Sequence, residues 1–111
     1  MSDRRENMRF KALGLKTAFG EVMDISDSGI GVFRKGKVNC SLGDQVKVFI
    51  SHENTVIEAK ARVVRINKVG MFRHEIGMEF VGITEDTLTQ IWALTDMACS
   101  AYTGPRCYIA A

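Results

Sequence analysis

The chain has 111 residues, 46% of them hydrophobic and 25% charged, with a formal net charge of +2. This length and composition predict one folded domain with a modest core, and the near balance of charge argues against a nucleic-acid binder with a broad basic face. There is no apolar run of about 18 residues and no apolar signal core at the polar start, so we expect no membrane span, no secretory signal and a cytoplasmic location.

Residues 1–9 lack hydrophobic periodicity and predict a flexible arm. Residues 1–11 hold Arg4, Arg5, Arg9 and Lys11 against Asp3 and Glu6. Four cations and two acids give +2, which is the whole excess charge of the chain. Arg5 and Arg9 can both close on one phosphorylated ligand, because a guanidinium is always charged and binds phosphate oxygens in a bidentate manner. The alternative is a solvated, solubilising terminus.

The next segment predicts two strands and a tight turn. The first strand runs from Phe10 to Ala18, and Phe19-Gly20 turns the chain. From Glu21 to Ser26 the sequence alternates, with Val22, Asp24 and Ser26 on one side of the strand. Asp27-Ser28-Gly29 is a turn signal, and a further strand begins at Ile30, so a hairpin is predicted here.

Asp24 and Ser26 are candidate ligand contacts on one face of this hairpin. A carboxylate accepts paired N–H donors, such as N1–H and N2–H of guanine, and a nearby hydroxyl adds a further contact. Gly29 lets the main chain approach a ligand closely. The alternative is that Asp24 and Ser26 only satisfy main-chain groups of the turn.

The following segments predict further strands, each with its apolar side chains on one face. Strands are expected at 46–50, at 55–66 and at 74–80, separated by the turn 51–54 and by a loop from Asn67 to Met71. Inward positions of the last two strands are Ile57, Ala59, Ala61, Val63, His74, Ile76, Met78 and Phe80. Such strands predict a mainly β fold, a six- to seven-stranded antiparallel barrel.

A C-terminal helix completes the predicted domain, which covers residues 10–101. Thr84 is an N-cap with two acids after it, and Ile83 can contact Leu88 across the first turn. Leu88, Ile91, Trp92, Thr95 and Cys99 follow helical spacing, so this stripe, including the tryptophan, packs on the barrel. Residues 102–111 remain a tail without an assigned structure.

The spacing of the polar residues resembles a known family. Arg5 and Arg9 form RxxxR, and Asp24, Ser26 and Gly29 form DxSxxG. In this order, and followed by several strands that end in Ile76-Gly77-Met78-Glu79-Phe80 before a helix, they resemble the PilZ domain family of bacterial cyclic di-GMP receptors. The resemblance extends over about residues 4–100, and Gly77 matches a glycine that is structural in the family's last strand.

The resemblance implies cyclic di-GMP as the ligand. Arg5 and Arg9 would bind phosphate oxygens and guanine, while Asp24 and Ser26, with the main chain near Gly29, would hold a guanine on the barrel surface. Arg4 adds a third cation, and our hypothesis is that it favours a stacked pair of ligand molecules. Binding would order the arm and create a surface that a separate effector protein recognises, as part of second-messenger control of motility, adhesion, biofilm exopolysaccharide or virulence.

Other function classes have weaker support. Ser26 lacks a sharp nucleophile turn and an oxyanion-hole loop, so we expect no enzyme. His52 and His74 have no partner at ligand spacing, and Cys40, Cys99 and Cys107 fit reduced thiols, so neither a metal nor another cofactor is expected. A ligand-free docking module with the same barrel is the main alternative. A barrel that binds single-stranded nucleic acid would need a basic groove with exposed aromatic side chains.

Overall fold

The strands of this chain close on themselves. The computed structural model describes residues 8–11, 14–100 and 108–110, with side chains from 14 to 98. The elements are β1 (Met8–Lys11), β2 (Lys16–Thr17), β3 (Gly20–Ile25), β4 (Gly29–Lys35), β5 (Gln45–His52), β6 (Thr55–Gly70), β7 (Arg73–Phe80), α1 (Glu85–Ser100) and β8 (Tyr108–Ala110). Strands β2 to β7 form an antiparallel ring in the order β2-β5-β6-β7-β4-β3, with β3 also paired to β2. The predicted barrel with a C-terminal helix is confirmed.

The core lies inside the ring and beneath the helix. Alternate residues of β4 to β7 point inward, and Val32, Val48, Ile50, Val63 and Ile76 are each no more than 1% exposed. The inward positions expected in β6, from Ile57 to Val63, are all buried. Period-two alternation therefore predicted the inward face of these strands correctly.

Helix α1 covers the barrel with a continuous apolar stripe. The N–H of Thr87 donates to Oγ1 of Thr84 at 3.1 Å, so Thr84 is the N-cap that the sequence predicts. Ile91, Leu94 and Thr95 are almost fully buried, and Trp92 is 6% exposed. The interpretation of Trp92 as a core residue is confirmed.

The predicted first strand from Phe10 to Ala18 is wrong. The chain forms two strands there, β1 and β2, and Gly14 between them has a φ of +88°. Left-handed backbone of this kind interrupts a strand. Beside this break Leu15 is buried, and its carbonyl accepts the N–H of Val22 at 3.0 Å.

The predicted loop from Asn67 to Met71 is also wrong. β6 continues to Gly70, with Asn67 opposite Glu75 and Lys68 opposite His74 on β7. Main-chain pairing with β7 extends the hairpin past the core even though the side chains of Asn67, Lys68 and Val69 are exposed. The reversal is reduced to Met71 and Phe72.

Two strands lie outside the ring. β1 pairs with β3, and β8 pairs with β1, so Tyr108–Ala110 from the predicted tail forms a strand beside residues near the N-terminus. Met8 and Arg9 fall within the predicted arm of residues 1–9 but belong to β1. Residues 1–7 of the arm lie outside the described residues.

Replacing Ile76 with alanine removes a fully buried side chain from the barrel wall. We expect a loss of about 2–5 kcal/mol in the free energy of unfolding, because the core cannot fully collapse onto the cavity. Urea denaturation measures this loss. The control is Val56→Ala, since Val56 is 58% exposed and its replacement should cost about 1 kcal/mol or less. Equal losses for the two variants would contradict the assigned core.

Candidate ligand-binding site

The turn between β3 and β4 is held by its own polar groups. The N–H of Ser26 donates to the carbonyl of Gly29 at 2.9 Å, and the N–H of Ser28 donates to Oγ of Ser26 at 3.3 Å. The hydroxyls of the two serines lie 3.1 Å apart. The carbonyl of Ser28 accepts the N–H of Phe80 at 2.9 Å, which ties the turn to the end of β7. The turn is therefore ordered without a ligand.

A β-bulge in β3 decides where Asp24 lies. The register with β4 shifts between Val22 and Asp24, so Val22 and Ile25 are both buried although they are three positions apart. The expectation that Val22 shares a face with Asp24 is wrong, because the extra residue reverses the alternation. Asp24 stands over Gly31, on the outer surface of the barrel.

Two glycines pair with each other on this outer wall, between one acidic and one basic side chain. In register, Asp24 of β3 pairs with Gly31 of β4, Gly31 pairs with Gly77 of β7, and Gly77 pairs with Arg65 of β6. A Cβ added at Gly31 would lie 2.9 Å from Oδ1 of Asp24. One added at Gly77 would lie 3.2 Å from Nη2 of Arg65. The carboxylate of Asp24 thus covers Gly31, and the guanidinium of Arg65 covers Gly77 from the opposite side of the glycine pair.

We call this row of Asp24, Gly31, Gly77 and Arg65 the glycine platform. Next to it lies an open depression of about 160 Å³. The depression is lined by Ser26, Ser28, Gly29, Ile30, Val64, Arg65, Gly77, Met78 and Glu79. It therefore brings two residues of the predicted site, Ser26 and Gly29, next to Arg65.

Gly29 has a structural role of its own. A Cβ at this position would lie 2.2 Å from the carbonyl oxygen of Met78. Strands β4 and β7 approach each other so closely here that a side chain would force them apart. Glycine at this point of the motif is required by the barrel itself.

The arginines of the predicted site are placed only in part. Arg4 and Arg5 lie outside the described residues, and for Arg9 only the main chain is described. β1 pairs Lys11 with Asp24 and Phe10 with Ile25. One step further along this register, the main chain of Arg9 is level with Ser26. The pairing therefore brings the main chain of Arg9 to the end of β3 at which the DxSxxG turn begins.

The sequence pattern did not indicate Arg65 as a candidate site residue. Simple alternation from the inward residue Val63 would also point Arg65 inward. A second bulge, between Val63 and Arg65, turns Arg65 to the outer wall instead. A bulge of this kind has no signal in the hydrophobic pattern. The one available signal was Gly31, two residues after the motif glycine, because a second glycine there indicates a close approach at this part of the wall.

A hydrogen bond links the turn to the helix. Nε1 of Trp92 donates to Oδ1 of Asp27 at 2.8 Å, across 65 positions of sequence. Because a buried indole N–H needs an acceptor, this bond fixes the helix relative to the motif turn. Asp27 belongs to the motif segment without being one of its named positions.

The described part of the chain does not meet the requirements of a metal site or of a membrane-spanning helix. Among its residues, no three or more His, Cys, Asp or Glu side chains are grouped to hold a metal ion. Within the same ranges, no helix has the length and apolar character needed to cross a membrane.

A closed barrel with a polar depression on its outer wall, and with a basic segment entering beside it, has the form of a small ligand-binding domain. The model of the PilZ domain matches residues 3–96 of the 111-residue chain. The chain therefore belongs to the PilZ domain family, whose members are in general receptors for cyclic di-GMP rather than enzymes. Neither the search of curated proteins nor that of solved structures found a significant match.

Replacing Gly29 with alanine should destabilise the barrel by about 1–3 kcal/mol or more, because the new methyl group overlaps the carbonyl of Met78. The matched control is Gly70→Ala, where the nearest atom is Cδ of the flexible Arg73 side chain at 3.4 Å. Thermal unfolding of both variants separates the two cases. A Gly29→Ala protein as stable as Gly70→Ala would show that the close approach of β4 and β7 is not required.

Proposed function

We propose that this protein is a cyclic di-GMP receptor that holds a guanine against the glycine platform and passes the signal to a separate effector protein. The observation that supports this most is the row Asp24, Gly31, Gly77 and Arg65 beside an ordered motif turn. The two paired glycines add no side chains of their own to the outer wall, so Asp24 and Arg65 are the groups that a planar purine would contact there. The family membership supports the same ligand.

The charged ends of the platform suit a guanine nucleotide. The carboxylate of Asp24 is an acceptor for N1–H and N2–H of the base. The guanidinium of Arg65 is planar and permanently charged, so it can stack on the purine or bind a phosphate oxygen. Ser26 and the main chain at Gly29 complete the site from the turn.

The arm supplies the remaining cations in this proposal. Arg9 lies in β1, level with the turn, and Arg5 is four residues away along the chain. Four residues span at most about 14 Å, so Arg5 is tethered within reach of the same ligand. A handful of charge-assisted hydrogen bonds, each worth about 1.5–3 kcal/mol, less the cost of ordering the arm, gives an affinity of about micromolar or better. Arg4 would add a cation for a stacked pair of ligand molecules.

Signal transfer would follow from ordering of the arm and from the bond between Asp27 and Trp92. Ligand bound at the turn acts on Asp27, and Asp27 holds the helix that covers the barrel. The arm and helix together would present the surface that the effector recognises. We place the protein in the cytoplasm, in control of motility, biofilm formation or virulence, as a receptor without catalytic activity.

One observation favours a second function, a docking module that keeps the fold without binding the ligand. Ser26 bonds within the turn and Gly29 is required by packing. Both residues therefore have reasons to be present that involve no ligand. Direct binding measurements distinguish the two functions.

Isothermal titration should show saturable binding of cyclic di-GMP, with none for GMP or cyclic di-AMP at the same concentrations. Arg9→Ala and Arg65→Ala should each weaken binding by about tenfold or more, since each removes a charge-assisted contact. The matched control is Arg73→Ala, an exposed arginine at the far end of β7. Absence of binding by the unaltered chain would favour the docking module. Loss that is equal in all three variants would reject the platform as the site.

The protein has one tryptophan, so its fluorescence reports on the helix. Cyclic di-GMP should shift the emission of Trp92 through its bond to Asp27. In Asp27→Ala this shift should disappear while calorimetric binding remains within about threefold of the original. The same emission change in the variant and in the unaltered protein would contradict the proposed coupling.

A further inference from the structure

The turn of the β6–β7 hairpin exposes three apolar side chains. Val69, Met71 and Phe72 are 49%, 78% and 69% exposed. Packing does not explain these side chains, because β6 extends here beyond its pairing with β5. They form a small apolar protrusion at one end of the barrel.

Phe72 occupies this protrusion in an unfavourable backbone conformation. Its φ is +60°, a value that glycine and asparagine adopt easily and bulky residues rarely do. The N–H of Gly36 donates to the carbonyl of Phe72 at 2.7 Å, which holds the turn in place. A large aromatic side chain thus stands exposed on a fixed turn where a small residue would be more stable. Such strain is common at functional sites.

Cations lie next to the protrusion in the chain and in the strand pairing. In β4 and the loop after it, and in the β6–β7 turn, these are Arg34, Lys35, Lys37, Lys68 and Arg73. We call residues 34–37 and 68–73 the basic tip. It contains five cations and no acid, so its charge is +5, against +2 for the whole chain and −3 for the remainder.

The cations of the basic tip are adjacent in the sheet. Lys35 pairs directly with Arg73, and His74 lies between Arg34 and Lys68. Like charges directly opposite each other destabilise a sheet. Within the described chain, neither Lys35 nor Arg73 has an ion-pair partner, whereas Lys47, which also faces a lysine, has Glu58 at 3.8 Å. The tip thus concentrates positive charge without neutralising it.

We propose that the basic tip binds the surface of an anionic phospholipid bilayer. Met71 and Phe72 would enter the boundary between headgroups and acyl chains, and the cations would contact lipid phosphates. A protein partner fits less well, because the tip has ten residues whereas each side of a stable interface contributes about 20–30. A bilayer needs no shape complementarity, only apolar insertion and opposite charge.

The basic tip is separate from the ligand site. Arg73 lies four residues from Gly77 along β7, a distance of about 13 Å. Lys35 and Arg73 pair at one end of β4 and β7, whereas the motif turn lies at the other end, where Phe80 donates to Ser28. This inference does not depend on nucleotide binding, and its test needs no nucleotide.

Vesicle flotation with the full chain tests the proposal. Vesicles of phosphatidylcholine alone are compared with vesicles that contain phosphatidylglycerol at about one third, at low and high salt. The chain should bind the anionic vesicles at least about tenfold more strongly, and salt should weaken that binding. Phe72→Asn should reduce it severalfold without loss of thermal stability, since asparagine tolerates the positive φ.

A pair of double variants tests the charges. Lys35→Gln with Arg73→Gln should reduce binding about tenfold or more. The matched control, Lys47→Gln with Lys60→Gln, removes two cations from another facing pair and should change binding less than threefold. Equal losses of vesicle binding in the two double variants would mean that net charge alone determines binding, and would reject the basic tip as the binding site. Binding to neither kind of vesicle would reject the bilayer and leave an acidic protein as the partner to test.

Discussion

The close approach of β4 and β7 is the constraint on which the rest of this structure depends. At Gly29 the two strands leave no room for a Cβ, and at Gly31 and Gly77 they pair glycine with glycine. The same contact closes the barrel, ties the motif turn to Phe80 and places two glycines on the outer wall between Asp24 and Arg65. The same strand contact thus shapes both the fold and the candidate site. The motif glycine Gly29 therefore serves packing as well as the proposed binding.

The sequence predicts the interior of the barrel better than its outer wall. Alternation identified Ile57 to Val63 as inward, and capping chemistry identified the start of the helix at Thr84. The alternation rule failed at the bulges before Asp24 and Arg65, because one extra residue reverses the direction of the side chains that follow. The hydrophobic pattern of the sequence does not reveal such an extra residue. Both bulges lie at the glycine platform. The RxxxR and DxSxxG spacing indicated the family, whereas Arg65 and the link from Asp27 to Trp92 emerged only from strand pairing and packing.

The two ends of the β4–β7 wall differ in chemistry. One end has the ordered turn, the glycine platform and the start of β1, where a nucleotide is proposed to bind. The other has the basic tip, with cations and exposed apolar side chains. Because rigid paired strands connect the two ends, a bilayer contact at the tip would hold the nucleotide site at a fixed height above the membrane. In the proposed mechanism, the helix that is bonded to the turn through Trp92 presents a surface to an effector.

The most direct test of the central claim, that the glycine platform holds the nucleotide, is to follow the amide resonances of ¹⁵N-labelled protein by NMR during titration with cyclic di-GMP. The main-chain amides of Gly31 and Gly77 lie between Asp24 and Arg65 on the outer wall, so they report on a base placed there. If a guanine lies on the platform, these two amides, those of Ser26 to Gly29 and the side-chain Nε–H of Arg65 shift most and saturate together. Saturable shifts concentrated elsewhere, with Gly31 and Gly77 unmoved, would contradict this placement.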